Sequence, residues 1–541
     1  MKCGRVTAAV VALLILSTGV CIHRSRAGEP RAAPGDVPIP PAKSCTALMD
    51  LRIPGTTLSI THASAVAASP AGTVPLGSDL GNIPVALPSH CLVEGVIDAH
   101  TGPDGKRYGL RFALALPDAW NRRFLFQGGG GMDGTLYSPL GAQAAGDRPA
   151  LARGFAVVST DGGHRGALFD ESFLVDQETA LDFAFKSVPT VATIAKQVVA
   201  NYYGSSPVRS YFDGCSTGGR EGMEAVERYP SLFDGVISGA PAMRTGFSNI
   251  ALKWAAVAFN RIAPRNPATG EPVPGGAFSA ADRRLIVNGL LHACDALDGL
   301  RDGMIFNVKA CHFDPVVLEC SAAKTTGCLS HAQVMALHTA FGGPVTAGGW
   351  RIYAPYPYDT GIAAQPVGPL GIAGFLFTHG WAGALPLAMN LESDVARAVA
   401  DPEEQLTDTE PWVNLQSFAA HGGKQLFYHG MSDPWFSANE TIGYYQRMAR
   451  ANGGLEKARG FVRLFLVPGM SHCRGGSDTL DHFDLLTPLV DWVEHGKAPE
   501  AVVATGRSLP GVSRPLCAWP QHAQYMGHGN PNDAESFECR D

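Results

Sequence analysis

Gly214-Cys215-Ser216-Thr217-Gly218 is the stretch around which the chain is organised. Upstream, Arg209-Ser210-Tyr211-Phe212-Asp213 has the length and aromatic content of a buried strand and runs into the glycine. Downstream, Gly219 to Tyr229 carries Met223 and Val226 at i, i+3 spacing, which predicts a helix. A serine pinched between strand and helix by small residues is a nucleophile elbow. The glycines permit a turn that a Cβ would obstruct, and the turn lifts the hydroxyl clear of the sheet. The helix start behind it favours developing negative charge.

Working outward, further strand signals alternate with helix signals. Arg107 to Leu116 predicts a strand. Arg123-Phe124-Leu125-Phe126-Gln127 predicts another, ending in Gly128-Gly129-Gly130-Gly131; four glycines expose backbone N–H groups and suit an oxyanion hole or a flexible loop. Gly154 to Thr160 is followed by Asp161-Gly162-Gly163-His164, Val191 to Tyr203 has helical period, and Gly235 to Gly239 is a short strand. This rhythm predicts an α/β fold with a mostly parallel sheet. It breaks over residues 244–414, rich in Gly, Ala, Pro and aromatics, and resumes at Lys424 to His429 and Arg463 to Val467. Residues 28–243 and 415–541 therefore form the sheet domain, with the middle inserted as a lid. Residues 482–496 predict a closing helix.

At 541 residues with 17% charged side chains, the chain has the composition of a soluble globular protein. Lys2 and Arg5 precede an apolar run, Ala8 to Leu16, and Ser25-Arg26-Ala27 offers a cleavage site, so residues 1–27 read as a signal peptide. Export to the periplasm or medium follows, with no membrane anchor afterwards. Removing those residues deletes four basic groups and no acids, taking the net charge from −7 to −11, which disfavours a nucleic-acid partner. Cys3 and Cys21 leave with the leader; the remaining ten of 12 cysteines, Cys45 and Cys91 among them, are expected in disulfides.

A serine hydroxyl needs a base, and the base needs a partner that fixes its tautomer. Asp433, in Gly430-Met431-Ser432-Asp433-Pro434, follows one strand, and His472, in Pro468-Gly469-Met470-Ser471-His472-Cys473, follows the next. The order Ser, Asp, His is that of an α/β-hydrolase triad. Cys215 precedes the serine and Cys473 follows the histidine, so if Ser216 and His472 meet, these cysteines fall near disulfide distance. Cys517 and Cys539 are placed to staple the tail.

These residues resemble the tannase/feruloyl esterase family of α/β-hydrolases: Gly-Cys-Ser-x-Gly-Gly at 214–219, the Asp433 segment, Pro-Gly-Met-x-His-Cys at 468–473 and the Asp161–His164 segment. The resemblance spans nearly the whole mature chain. It implies a Ser216–Asp433–His472 triad, a Cys215–Cys473 bridge, and an oxyanion hole made by the N–H of Thr217 with that of Gly129 or Gly130. It also implies a structural calcium in the lid, on Cys294-Asp295-Ala296-Leu297-Asp298-Gly299-Leu300-Arg301-Asp302-Gly303-Met304. Asp295, Asp298 and Asp302 would bind by side chain, and Leu300 and Met304 by carbonyl. Cys294 is expected to pair with Cys311, and Cys320 with Cys328.

The activity implied is hydrolysis of aromatic acid esters, hydroxybenzoic or hydroxycinnamic, with a small-molecule ester as the partner. Phe436 and Trp381 are candidate ring contacts, or core. Tyr353-Ala354-Pro355-Tyr356-Pro357-Tyr358 offers phenols to a hydroxylated acid. A terephthalate monoester is the alternative substrate, yet its free carboxylate wants a guanidinium, and no Lys or Arg lies between Arg351 and Arg397. A non-catalytic protein of the same fold that binds aromatic esters is the alternative of a different class.

Overall fold

The structure, a computed structural model, describes residues 37–77, 81–321, 326–363, 386–476 and 478–541. The leader over residues 1–27 and Trp381 lie outside the described residues. Among the described residues nine strands form the main sheet: β1 (Ser59–Val66), β2 (His90–Thr101), β3 (Arg107–Pro117), β4 (Arg123–Gln127), β5 (Ala156–Thr160), β6 (Arg209–Cys215), β7 (Gly235–Gly239), β8 (Lys424–Gly430) and β9 (Val462–Val467). Their spatial order is β1-β2-β3-β5-β4-β6-β7-β8-β9. The first three are antiparallel and β3 joins β5 antiparallel. From β5 onward every pairing is parallel.

The parallel strands are apolar on both faces because both faces are covered. Phe124 and Phe126 enter one core while Leu125 enters the other. The same alternation puts Phe212 and Phe427 on the first side and Tyr211, Leu426 and Tyr428 on the second. Helices α1 (Ser187–Tyr203), α2 (Thr217–Arg228) and α3 (Ala438–Ala451) cover the first face, through Val191, Val198, Met223 and Tyr445. On the second lies α4 (Leu486–His495), through Leu486, Leu489 and Trp492. Each large apolar side chain so buried stabilises the fold by about 1.5–3 kcal/mol.

After Gly239 the chain leaves this sheet, and it rejoins it at Lys424. Within that excursion Phe259, Phe278, Ile286, Leu337, Phe341, Tyr353 and Tyr356 build an apolar cluster of their own. Among the described residues five disulfides are formed: Cys45–Cys91, Cys215–Cys473, Cys294–Cys311, Cys320–Cys328 and Cys517–Cys539. No helix among the described residues is long and apolar enough to cross a membrane.

Strand polarity positions the site. The carboxyl ends of β4, β6, β8 and β9 lead into the glycine run, Ser216, the Asp433 loop and the His472 loop. Parallel strands carry their loops to one edge of the sheet, so four remote segments converge there.

Candidate active site

Ser216 sits between the last residue of β6 and the first of α2 with φ 64° and ψ −122°, a conformation that side-chain-bearing residues avoid. The small residues around it are required by contact. A Cβ on Gly214 would lie 2.6 Å from the backbone of Gly218, and one on Gly219 would lie 2.2 Å from the carbonyl oxygen of Gly239. The N–H of Ser216 donates to Gly239 O at 3.0 Å, which fixes the turn to the neighbouring strand. As the first helical residue, Thr217 has an N–H that finds no partner within the helix.

Across the edge, His472 Nδ1 lies 2.7 Å from Asp433 Oδ2. The Cys215–Cys473 bridge, with Cα atoms 6.0 Å apart, joins the residue before the serine to the residue after the histidine. His472 Nε2 is buried and makes no hydrogen bond, so the Ser216–His472 bond is not closed in this conformation. Catalytic hydrogen bonds commonly tighten only when substrate is bound.

Asp433 is held by more than its histidine. Its Oδ1 accepts the N–H groups of Trp435 (2.8 Å) and Phe436 (3.1 Å). Its Oδ2 faces a second imidazole, His429 Nε2, at 3.2 Å. Burial alone would push this carboxyl up, yet the charge of His472 and the hydrogen bonds from both histidines hold it well below the usual carboxylate range. His429 is fully buried, anchored by Thr441 Oγ1 at 2.8 Å and the Phe436 carbonyl at 3.0 Å. Sequence reading passed it over because a strand histidine reads as core. Its place four residues before Asp433, at the mouth of the same strand, was the available signal.

Phe436 is buried with its ring centroid 5.4 Å from that of His472. Its neighbour Trp435, missed in the sequence reading, is nearer at 4.6 Å, half-buried, with Phe169 edge-on at 6.5 Å. Trp435 is steadied by the excursion between β7 and β8: Ser248 Oγ and Tyr356 Oη both donate to its carbonyl. From the same excursion the buried Asp359 accepts from Ser432 Oγ at 2.6 Å and from Gly469 N at 2.7 Å, bridging the acid and base loops.

Two expectations meet a different arrangement. The phenols of the 353–358 stretch face inward: Tyr353 Oη accepts from Ser437 N and Tyr356 Oη donates to Trp435 O. Tyr358 stacks on Phe341 at 4.1 Å with its hydroxyl buried. Packing of the local core claims all three, so none is presented to a ligand. The amides of the glycine run are likewise committed inward. Gly128 N donates to Asp213 O, Gly129 N to Glu221 Oε2 at 3.0 Å, and Gly130 N to Asp133 Oδ1 at 2.9 Å. Neither Gly129 nor Gly130 therefore has its N–H turned toward a reacting oxygen. Gly131 meets the residue after the nucleophile, its carbonyl accepting from Thr217 Oγ1. His164 lies in the core with both ring nitrogens unpaired, stacked on Phe173 at 3.8 Å, and burial lowers its pKa to about 4.

In the 294–304 loop, Asp295 Oδ1 accepts from the N–H groups of Asp302 and Gly303, and Asp298 from those of Leu300 and Phe306. Asp302 Oδ2 is paired with the buried Arg514 at 2.6 Å. Burial, with Asp302 and Asp295 adding like-charge repulsion against its backbone hydrogen bonds, pushes Asp298 up to about 7. The oxygen donors suit a hard cation in kind. In this conformation the carboxylates are engaged by backbone N–H groups and by Arg514, and among the described residues no three His, Cys, Asp or Glu side chains converge on one point.

Compared with known proteins, residues 91–370 and 389–540 match the family model described as tannase and feruloyl esterase. Mono(2-hydroxyethyl) terephthalate hydrolase of Piscinibacter sakaiensis is 37% identical over 525 residues, covering 84% of this chain and 85% of that protein. A probable feruloyl esterase B-2 of Neosartorya fischeri is 30% identical, covering 78% of this chain and 82% of the relative. The crystal structure of feruloyl esterase B from Aspergillus oryzae aligns with a TM-score of 0.73 at 25% identity, over 92% of this chain and 99% of that one. The fold is that of the α/β-hydrolases.

Proposed function

The chain belongs to the tannase and feruloyl esterase family and is a carboxylic ester hydrolase, and from this we propose that it is an exported serine esterase acting on aromatic acid esters. The observation that carries the mechanism is the base loop clipped to the elbow: a disulfide beside Ser216, and His472 oriented on Asp433 with its outer nitrogen buried and unbonded. In the proposed cycle His472 takes the Ser216 proton and the alkoxide adds to the ester carbonyl. The imidazolium, stabilised by Asp433, then protonates the leaving alcohol, and water cleaves the acyl-enzyme by the same steps. Thr217 N–H stabilises the oxyanion, and we assign the second donor to Gly131, since the other three amides of the run are engaged.

Residues 244–414 serve in this reading as the lid. Trp435, beside His472 and held by lid side chains, is the ring contact for the acyl group, with Phe436 packed behind it. A terephthalate monoester is the second reading, favoured by the 37% identical relative. Arg474, exposed two residues beyond His472, is a guanidinium on the base loop that its free carboxylate could reach. A panel of methyl ferulate, methyl gallate and mono(2-hydroxyethyl) terephthalate tests the proposal. The highest kcat/KM is expected on one of the first two. Preference for the terephthalate monoester, abolished by Arg474→Ala, would favour the second reading, and no turnover of any of them would refute both.

We also propose that the 294–304 loop binds calcium, with Asp302 turning from Arg514 toward the ion. The support is the family resemblance and the crowding of Asp295, Asp298 and Asp302. Calcium at a hundredfold excess over Kd should stabilise the fold by about 2.7 kcal/mol, seen as a rise in Tm of several degrees that EGTA reverses. An unchanged Tm would dismiss the ion.

A further inference from the structure

Beneath the glycine run lie two acids that the mechanism above does not use. Glu221, on α2 five residues after the nucleophile, and Asp133, at the end of the run, are both about 1% exposed. Each gives one oxygen to a consecutive glycine amide, Glu221 Oε2 to Gly129 and Asp133 Oδ1 to Gly130. Their other oxygens, Glu221 Oε1 and Asp133 Oδ2, are buried and receive no N–H or O–H from any other group. Two buried carboxylates left in that state would repel at close range, and each unsatisfied oxygen would carry its full desolvation cost. A single proton between them removes both penalties, as in a carboxyl–carboxylate pair.

The neighbourhood fits one negative charge on the pair. Arg220, on α2 and itself buried, is the facing cation. Its helix neighbour Glu224 is pushed up to about 8, chiefly by burial and against Arg220 and Arg228. From the end of β5, Asp161 faces Asp133 but is paired with Arg111 at 2.5 Å, and Tyr137 faces it from the following loop. Burial first, then the charge of Glu221, raises Asp133 far above the usual carboxylate range, and burial raises Glu221 as well, so the proton belongs to the pair.

The first two glycines of the run are tightly packed, Gly128 against α2 and Gly129 against Asp133. A Cβ on Gly128 would lie 2.8 Å from Gly218 Cα, one on Gly129 2.2 Å from Asp133 Oδ1, and Thr217 Oγ1 holds the Gly131 carbonyl. We propose that Glu221 and Asp133 are the positioning residues of the oxyanion loop. Sharing one proton, they pull the Gly129 and Gly130 amides inward and so set the outer edge of the run against the nucleophile. This rests on the ester-hydrolase mechanism above. The pair touches no substrate; it acts through the loop. Loss of the shared proton in alkali puts a second charge under the loop and releases it.

Steady-state kinetics of wild type, Glu221→Leu and Glu221→Gln on the best ester, with circular dichroism as the folding control, test the proposal. Folded Glu221→Leu should lose about a hundredfold in kcat, the size of losing an oxyanion donor, with KM nearly unchanged. Glu221→Gln should recover most of that loss, because its carbonyl accepts Gly129 N–H and its amide donates to Asp133. It should also keep its kcat at alkaline pH where wild type declines. A folded Glu221→Leu as fast as wild type, a folded Glu221→Gln as slow as Glu221→Leu, or an alkaline decline identical in Glu221→Gln and wild type would each overturn it. Wild type that turns over no ester overturns the underlying mechanism as well.

Discussion

Replacing Ser216 with alanine should leave a folded protein whose kcat falls by about 10⁶-fold, to the residue supplied by binding and the oxyanion donors alone. The loss is that large because the serine is the group that forms the covalent bond; without it His472 has no hydroxyl proton to take and Asp433 no imidazolium to stabilise. Stability should change by less than about 1 kcal/mol, since the side chain is a single hydroxyl at a turn built by the surrounding backbone. The check is kcat/KM on the preferred ester beside Tm and circular dichroism. Turnover within an order of magnitude of wild type would remove Ser216 from the mechanism.

The second large effect concerns the bridge. Cys215 and Cys473 are separated by 258 residues, and the disulfide is the covalent tie between the elbow and the base loop. Opening it, by Cys215→Ser with Cys473→Ser, frees Ser216 and His472 to drift. A misplacement of about 1 Å between reacting groups costs about a hundredfold in rate. A fall of that order in kcat, with a much smaller change in KM, is therefore predicted. Stability should fall too, by up to about 5 kcal/mol on the chain-entropy account. Wild-type kcat in a protein shown to lack this bridge would mean that packing alone aligns the pair.

Much of this site was legible in the sequence because local chemistry dictates it. The elbow is readable since Gly214, Gly218 and Gly219 stand where only glycine fits, and the strands are readable since Phe124, Leu125 and Phe126 are buried on both faces. Helix α2 starts at Thr217, earlier than the apolar spacing suggested, because the helix begins on the elbow itself. What periodicity does not carry is which remote groups face one another. His429 reaches Asp433 because both lie at the carboxyl end of β8 and the loop turns back; Asp359 reaches Ser432 and Gly469 only through the course of the excursion. The glycine run announced exposed amides but not their direction, which Glu221 and Asp133 determine from another helix and the far end of the loop. The phenols of Tyr353 and Tyr356 looked available in sequence and are claimed by local packing.

The most direct measurement is to label the protein with a fluorophosphonate and map the adduct by mass spectrometry. The account predicts one adduct, on the peptide carrying Ser216, absent in Ser216→Ala and much slower in His472→Ala. A protein that hydrolyses esters while its adduct forms on another residue, or fails to form at all, would contradict it.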